Sequence, residues 1–488
     1  MKKSWLNFIC ILLCVLIPFI AVISAGFLIP PQFDRTFLGE LKDKVARLYS
    51  INEPKIVVIG GSSVPFGISS SLMEEALGMP VVNFGLYATL GTKMMLDLSR
   101  GAIKKGDVII IAPETDPQTY SLFFSAESAW QACDSDFSML TKMSGKDFSS
   151  MLGGFWKFTA QKIKYALSGE HLDPSGVYNH SSFNEYGDIS YPRPYNVMTL
   201  GYEPNSKIRF SPDIISDDFI AYVNDYIKFA EKRGAVVYFS FSPTNEDAID
   251  ENTTLESLGE FSAFIDEKFA SKRISDPNSY IYQSGYFYDS NFHLNDAGVI
   301  LHTATLSADI AAALGKKLLV EFDIPKAPEK PDEPITPQKE YDENEKFFSL
   351  TPVVVNGKTV GYTISGLSEE GKTQSALTTP VVYNKLPVIS ISENAFSQSE
   401  TLRELTIEKS VTQILNGAFA GAKNLVKIHI LQPDPEFLQV DCFVIEPTDG
   451  LCRGMNPAAR FYVPKEALGD YMSGYFWAKY SDYLAADN

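Results

Sequence analysis

Between residues 40 and 317 the chain alternates short apolar runs with longer segments whose apolar positions recur every three or four residues. KIVVIG (55–60), PVVNFG (80–85), DVIIIA (107–112) and AVVYFSF (235–241) have the length of strands and no polar face. Strands that are apolar on both sides belong in a parallel sheet covered on both faces. SSLMEEALG (70–78), DDFIAYVNDYIKFAEKRG (217–234) and NDAGVILHTATLSADIAAALG (295–315) carry the helical spacing that supplies such covers. The pattern predicts a three-layer, flavodoxin-like α/β domain over about 40–320. The stretch from about 120 to 215 lacks strand periodicity and reads as an insertion over the sheet's edge. Its aromatic segments FWKF (155–158) and YGDISYPRPYN (186–196) are either faces for stacking on sugars or a small satellite core.

Two other patterns flank this domain. Lys2 and Lys3 precede an uncharged run from Trp5 to Pro30. About 20 apolar residues span a bilayer, more than the roughly 7–15 of a signal-peptide core. Residues 1–30 are therefore read as a transmembrane signal anchor in the cell membrane, with the lysines inside and the rest of the chain outside. Small residues at Ser24 and Ala25 leave a cleaved, secreted form as the alternative. Downstream, Pro325, Pro328, Pro331, Pro334 and Pro337 recur every third residue. Three residues make one turn of polyproline II, so 323–345 is read as an extended spacer between separate domains.

Beyond the spacer, residues 347–488 contain a repeat. VISISENAFSQSETLRELTI (388–407) and VTQILNGAFAGAKNLVKIHI (411–430) align without a gap. Val388, Ile391, Ala395, Phe396, Leu402, Leu405 and Ile407 return as Val411, Ile414, Ala418, Phe419, Leu425, Ile428 and Ile430. A period of this size suits a coil in which each turn lays down one short strand. The residues resemble the BspA-type leucine-rich repeats of bacterial surface proteins over about 360–485. That resemblance implies a binding or scaffolding surface, with a protein or wall component as partner, and no chemistry.

Composition narrows the function. The 488 residues are 45% hydrophobic and 12% aromatic, enough for packed cores, and the formal net charge is −18. Such a charge argues against nucleic acid as a partner, since basic patches supply most of that affinity. The five cysteines, Cys10, Cys14, Cys133, Cys442 and Cys452, form no CxxC pair or Cys/His cluster with metal-ligand spacing. Cys442 and Cys452 are spaced to pair across a short loop. No metal or organic cofactor is expected.

The candidate chemistry lies at the two ends of the α/β domain. In KIVVIGGSSVPFGIS (55–69) a buried strand ends in two glycines and two serines, the place where open α/β sheets hold ligands. Taken alone it is also an ordinary strand-to-helix turn, with a helix from about Ser69 pointing its amino end at the serines. YFYDSNFHLNDAG (286–298) adds His293, four residues after Asp289 and just before a helix. A serine nucleophile needs such a base, and the base needs a carboxylate to fix its tautomer. Of the other histidines, His302 falls on an apolar helix face, His429 in an outward strand slot, and His171 and His180 in the polar part of the insertion.

Together these ends resemble the SGNH (GDSL-type) hydrolase family over about 50–316. Gly61-Ser62-Ser63-Val64-Pro65-Phe66-Gly67 matches its G-D-S-x-x-x-G block with Ser62 replacing the aspartate, which maps the nucleophile to Ser63. His293 in HLNDAG matches the final histidine, with Ser290 in the usual acid position and Asp289 one residue further back. The resemblance implies an oxyanion hole from the Ser63 and Ala88 backbone N–H groups. The family's block-three asparagine is replaced here by Glu114 or Thr115. A hydroxyl from Thr115 could donate, whereas a carboxylate would repel. The implied activity is serine esterase or O-acyltransferase chemistry on an acylated cell-envelope carbohydrate. The other reading is an SGNH-like surface binding protein without catalysis.

Overall fold

β1 (Ile56–Gly60) is buried at all five positions, which takes neighbours on both edges and covers on both faces. It pairs in parallel with β2 (Val81–Gly85) on one side and β3 (Val108–Ile111) on the other. β4 (Val236–Phe239) adds to β3, and the chain then runs through β5 (Thr244–Asn245) to β6 (Lys272–Arg273) and β7 (Ile281–Tyr282). The main sheet has the order β2-β1-β3-β4-β6, parallel throughout, while β5 and β7 form a small parallel pair. This is a mixed α/β fold, and its strand order turns back on itself at β1 and β3. In open sheets that switch point is where ligands bind, beyond the strands' carboxyl ends.

The computed structural model describes residues 16–17, 20–143, 145–168, 176–198, 200–204, 206–329, 341–355, 358–397, 399–440, 451–452, 454–473 and 477–487. The chain divides into two units, one of Met1–Asp173 and Asn179–Glu329, the other of Pro174–Tyr178 and Lys330–Asn488. Half of the apolar run 5–30 lies outside the described residues. Among those described, no helix is long and apolar enough to cross a membrane. Cys442 and the middle of the proline spacer, 330–340, also lie outside them. The start of the spacer rests on the first unit, where Tyr286 Oη donates to Pro325 O at 3.0 Å.

From residue 41 on, the described helices of the first unit are α1 (Leu41–Ser50), α2 (Ser70–Leu77), α3 (Gly91–Ser99), α4 (Ala126–Ala132), α5 (Phe148–Ser168), α6 (Asp217–Lys232), α7 (Leu255–Lys268) and α8 (Asp296–Ala313). Their starts are set by local chemistry. Ser216 Oγ accepts from Phe219 N–H at α6, and Asn295 Oδ1 accepts from Gly298 N–H at α8. The insertion is more regular than its periodicity suggested, because α5 spans 21 residues. Met151, Phe155, Phe158 and Lys162 lie on one helical stripe and are buried. Phe155 and Phe158 pack on Trp130 at 4.9 and 5.6 Å between ring centroids. Those two rings of FWKF thus belong to a satellite core, and Trp156 is exposed.

In the second unit β8 (Leu386–Ile391) pairs in parallel with β10 (Gln413–Ile414), and β9 (Glu404–Ile407) with β11 (Lys427–Ile430). The partners Ile391 and Ile414, and Leu405 and Ile428, are the same positions of the two repeats. One repeat is therefore one turn of a coil. Phe396 stacks on Phe419 at 5.7 Å inside it, and both are fully buried.

His302 on α8 is a core residue, its Nδ1 3.3 Å from Tyr282 Oη. Burial lowers its pKa from 6.5 to about 3. The folded imidazole stays neutral over that window while the unfolded one takes a proton below pH 6.5. The unfolded state then holds more protons, so stability falls as pH falls, by at most about 1.4 kcal/mol per unit from this group. Urea midpoints measured from pH 7 to 4.5 should decline, and His302→Gln should flatten part of that decline. Identical slopes in both proteins would show that His302 is not held neutral.

Candidate active site

Beyond Gly60 the chain enters a tight turn before any helix. Val64 N–H donates to Gly61 O at 3.3 Å, Phe66 N–H to Ser62 O at 3.2 Å and Gly67 N–H to Val64 O at 3.1 Å. α2 begins only at Ser70. Its first N–H donates to Asp188 Oδ2 at 2.6 Å, and Ser70 Oγ donates to Asp188 Oδ1 at 2.7 Å. The amino end of that helix is thus capped from the insertion and does not serve the serines.

At the other end of the unit, residues 286–295 fold as a hairpin. Tyr288 N–H donates to His293 O at 2.8 Å and Asn295 N–H to Tyr286 O at 2.9 Å. At its tip Ser290 Oγ accepts from Phe292 N–H at 3.2 Å and from His293 N–H at 3.1 Å. Ser290, in the position a family acid would hold, is the cap of this turn. The turn brings Asp289 Oδ1 to 2.7 Å from His293 Nδ1. Asn291 Oδ1 accepts from Glu203 N–H at 2.8 Å, and its Nδ2 donates to Glu203 O and Ser206 O.

The imidazole bridges the two ends of the unit, but not at the serine that the motif spacing selected. His293 Nε2 lies 2.7 Å from Ser62 Oγ. Ser63 Oγ is buried and has no hydrogen-bond partner among the described residues. Successive side chains in a helical turn point about 100° apart, so only one of two adjacent serines can face the ring. Ser63 contributes its backbone instead, donating N–H to Glu114 Oε1 at 2.8 Å. That carboxyl, just past β3, is also 3.1 Å from Ser62 Oγ. Thr115 Oγ1 is buried without a partner among the described residues. Ala88 opens a short turn after β2, and its carbonyl accepts from Gln118 Nε2 at 3.3 Å. Among the described residues no hydrogen bond joins Ala88 or Thr115 to Ser62.

Ser62, Glu114 and His293 are all about 95% buried. Phe66 stacks on the imidazole with a 4.0 Å centroid separation and 8° between planes. The Arg193 guanidinium lies 5.3 Å from the centre of the same Phe66 ring, and Nη1 donates to Phe66 O at 3.3 Å. Burial lowers the Arg193 pKa, and the carboxylates of Asp296 and Asp289 oppose that shift. Burial raises the Glu114 pKa, against the Ser63 N–H bond and the charge of His293. With Nδ1 facing the Asp289 carboxylate and Nε2 facing the Ser62 hydroxyl, a neutral ring protonated on Nδ1 would turn a lone pair toward Ser62. Such an arrangement can deprotonate Ser62 as it attacks an electrophile.

No family model matches the chain, and no curated protein matches it.

Sequence spacing reached Asp289, His293 and the block containing Ser62, but not Phe66 or Arg193. Phe66 lies four residues after Ser62, one turn along, and that offset was its available signal. The remaining histidines lie elsewhere. His180 is not simply solvated, since its Nε2 is 3.0 Å from Glu40 Oε2 and 3.1 Å from Asp43 Oδ2. The bond to Glu40 raises its pKa. These three side chains help line a cavity of about 320 Å³ between α1 and the insertion. His429 stacks on Tyr462 at 5.1 Å with Asp487 Oδ2 at 2.9 Å, and His171 is outside the described residues.

Gly61 lets the Glu114 carboxyl approach the turn, for a Cβ there would sit 2.7 Å from Oε1. Gly61→Ala should destabilise the protein by about 1–3 kcal/mol in urea unfolding. In a Glu114→Ala background the same substitution should cost clearly less. Equal costs in the two backgrounds would show that the clash is not with Glu114.

Proposed function

We propose that the first unit is an SGNH-type serine esterase or O-acyltransferase acting on acyl esters of a cell-envelope carbohydrate. The observation that carries this reading is the unbroken chain from Asp289 through His293 to Ser62, with contacts of 2.7 and 2.7 Å. Ser62 Oγ attacks the acyl carbon while its proton passes to His293 Nε2, and the carbonyl electron pair moves onto oxygen. The intermediate collapses as His293 returns the proton to the leaving alkoxide, which leaves an acyl-Ser62. Water or a sugar hydroxyl then repeats the sequence, giving hydrolysis or transfer. Asp289 orients the ring and offsets its positive charge. The burial of Ser62 favours a small acyl group such as acetyl.

The second unit, on this reading, is a BspA-type leucine-rich-repeat domain that holds a wall or protein partner. The apolar run 5–30 anchors the chain to the membrane or, if cleaved, releases it. One observation favours a binding protein without catalysis: the Glu114 carboxyl on Ser62. An ionised carboxylate there would oppose the oxyanion.

Labelling with a fluorophosphonate probe and turnover of p-nitrophenyl acetate separate these readings. Ser62→Ala should abolish both, and Ser63→Ala should retain both. Asp289→Asn should lower turnover by about 100- to 10,000-fold, the usual range for loss of assisted proton transfer. Labelling that survives Ser62→Ala, or that Ser63→Ala removes, would place the nucleophile elsewhere. A wild-type chain that is never labelled would favour the binding protein.

A further inference from the structure

The contacts around Ser62 set a count of hydrogens. Three close contacts run in series: Asp289 to His293 at 2.7 Å, His293 to Ser62 at 2.7 Å, and Ser62 to Glu114 at 3.1 Å. Each needs one hydrogen between its heavy atoms. His293 Nδ1 and the Ser62 hydroxyl supply two. The third sits either on His293 Nε2 or on Glu114. In the first case the Ser62 proton must point at Glu114, the imidazole is already protonated, and no base faces the nucleophile. In the second case the Ser62 proton points at an unprotonated Nε2.

We propose that Glu114 is a fourth catalytic residue that works as a neutral carboxylic acid, its Oε1–H donating to Ser62 Oγ while a lone pair of the same oxygen accepts the Ser63 N–H. Resting on the serine-hydrolase reading above, this turns the objection to that reading into part of the machinery. The acid directs the Ser62 proton toward His293 and places no negative charge beside the tetrahedral intermediate. The oxyanion is the carbonyl oxygen on the carbon that Oγ attacks, so a donor bonded to Oγ is a short rotation from it. Glu114 keeps its proton throughout, and the transferred proton is the one shuttled by His293.

Burial on this scale penalises the ionised form and raises the Glu114 pKa, in the direction the proposal needs. The titratable groups acting on it are His293, which opposes that rise, and Asp116, which adds to it. The precedent in chemistry is a carboxylic acid held neutral in an apolar site so that it can donate.

Fluorophosphonate labelling of Ser62 should be measured against pH in wild type, Glu114→Gln and Glu114→Ala. Wild type should lose labelling on the alkaline side as Glu114 ionises. Glu114→Gln, whose amide still donates, should keep labelling at neutral pH and lack that alkaline loss. Glu114→Ala should label roughly 100-fold more slowly, as expected when one such donor is removed. Glu114→Gln as inert as Ser62→Ala, or with an unchanged pH profile, would overturn the proposal. Infrared difference spectra, wild type minus Glu114→Gln, give a readout free of activity. They should show an un-ionised carboxyl band at neutral pH, and its absence would also overturn the proposal. If the band is present but wild type is never labelled, the esterase reading and the catalytic role fall while the proton assignment stands.

Discussion

β1 is hydrogen-bonded along both edges and buried on both faces, so the chain leaving it has one exit, past its carboxyl end. Everything at the candidate site answers to that constraint. The backbone groups of 61–67 arrive in a dry place and must be paired there. The turn pairs some of them internally, and three separate elements take others. Glu114, beyond β3, accepts the Ser63 N–H. Asn83 Nδ2 of β2 donates to Val64 O at 3.3 Å. From the insertion, Ile189 N–H donates to Pro65 O at 3.0 Å and Arg193 to Phe66 O. The position of Ser62 is thus set by its neighbours' backbone needs. Catalytic groups held in this way lose little to reorganisation during reaction.

The sheet was legible because its signal is local and redundant. Ile56–Gly60, Val81–Gly85, Val108–Ile111 and Val236–Phe239 each fall inside a run of apolar residues with strand length. The repeat was legible for a different reason: a coil imposes one residue offset on both its sequence and its strand pairing. α5 was not, because its aromatic, glycine-containing sequence masks a helical stripe that only packing on Trp130 makes plain.

The site was half legible, and the division follows from what spacing can encode. Motif spacing found His293 and Asp289, since a histidine before a helix and an acid four residues earlier are linear features. It chose Ser63 over Ser62, since which of two adjacent hydroxyls faces the ring depends on the rotation of a seven-residue turn. That rotation is set by Glu114, Asn83 and Arg193, which are remote in sequence. Ser290 shows the same limit. Its hydroxyl caps the turn with two N–H bonds, and the carboxylate that faces His293 is that of the residue before it. A linear pattern records where Asp289 and Ser290 stand but not which of them turns toward the ring. Glu114 was noticed as a substitution at the oxyanion position. Its contact with the serines became readable only with the fold.

The insertion then acquires a role different from that of an added substrate rim. Asp188 is fully buried and accepts from Ser70 and from Asn83 Nδ2 at 2.8 Å. The same Asn83 accepts from Lys44 Nζ at 3.2 Å, and Lys44 also donates to Gly187 O at 2.5 Å. Burial lowers the Lys44 pKa to about 8, with Glu40 and Asp188 opposing it. A buried charge left without its partner costs about 3–5 kcal/mol, so removing this loop would strand Lys44 and expose the start of α2. It would also release Pro65 and Phe66, the residues next to the candidate nucleophile and against its base. Loss of activity after such a deletion therefore says nothing about substrate contacts. Only substitutions at exposed rings outside this network can separate recognition from support.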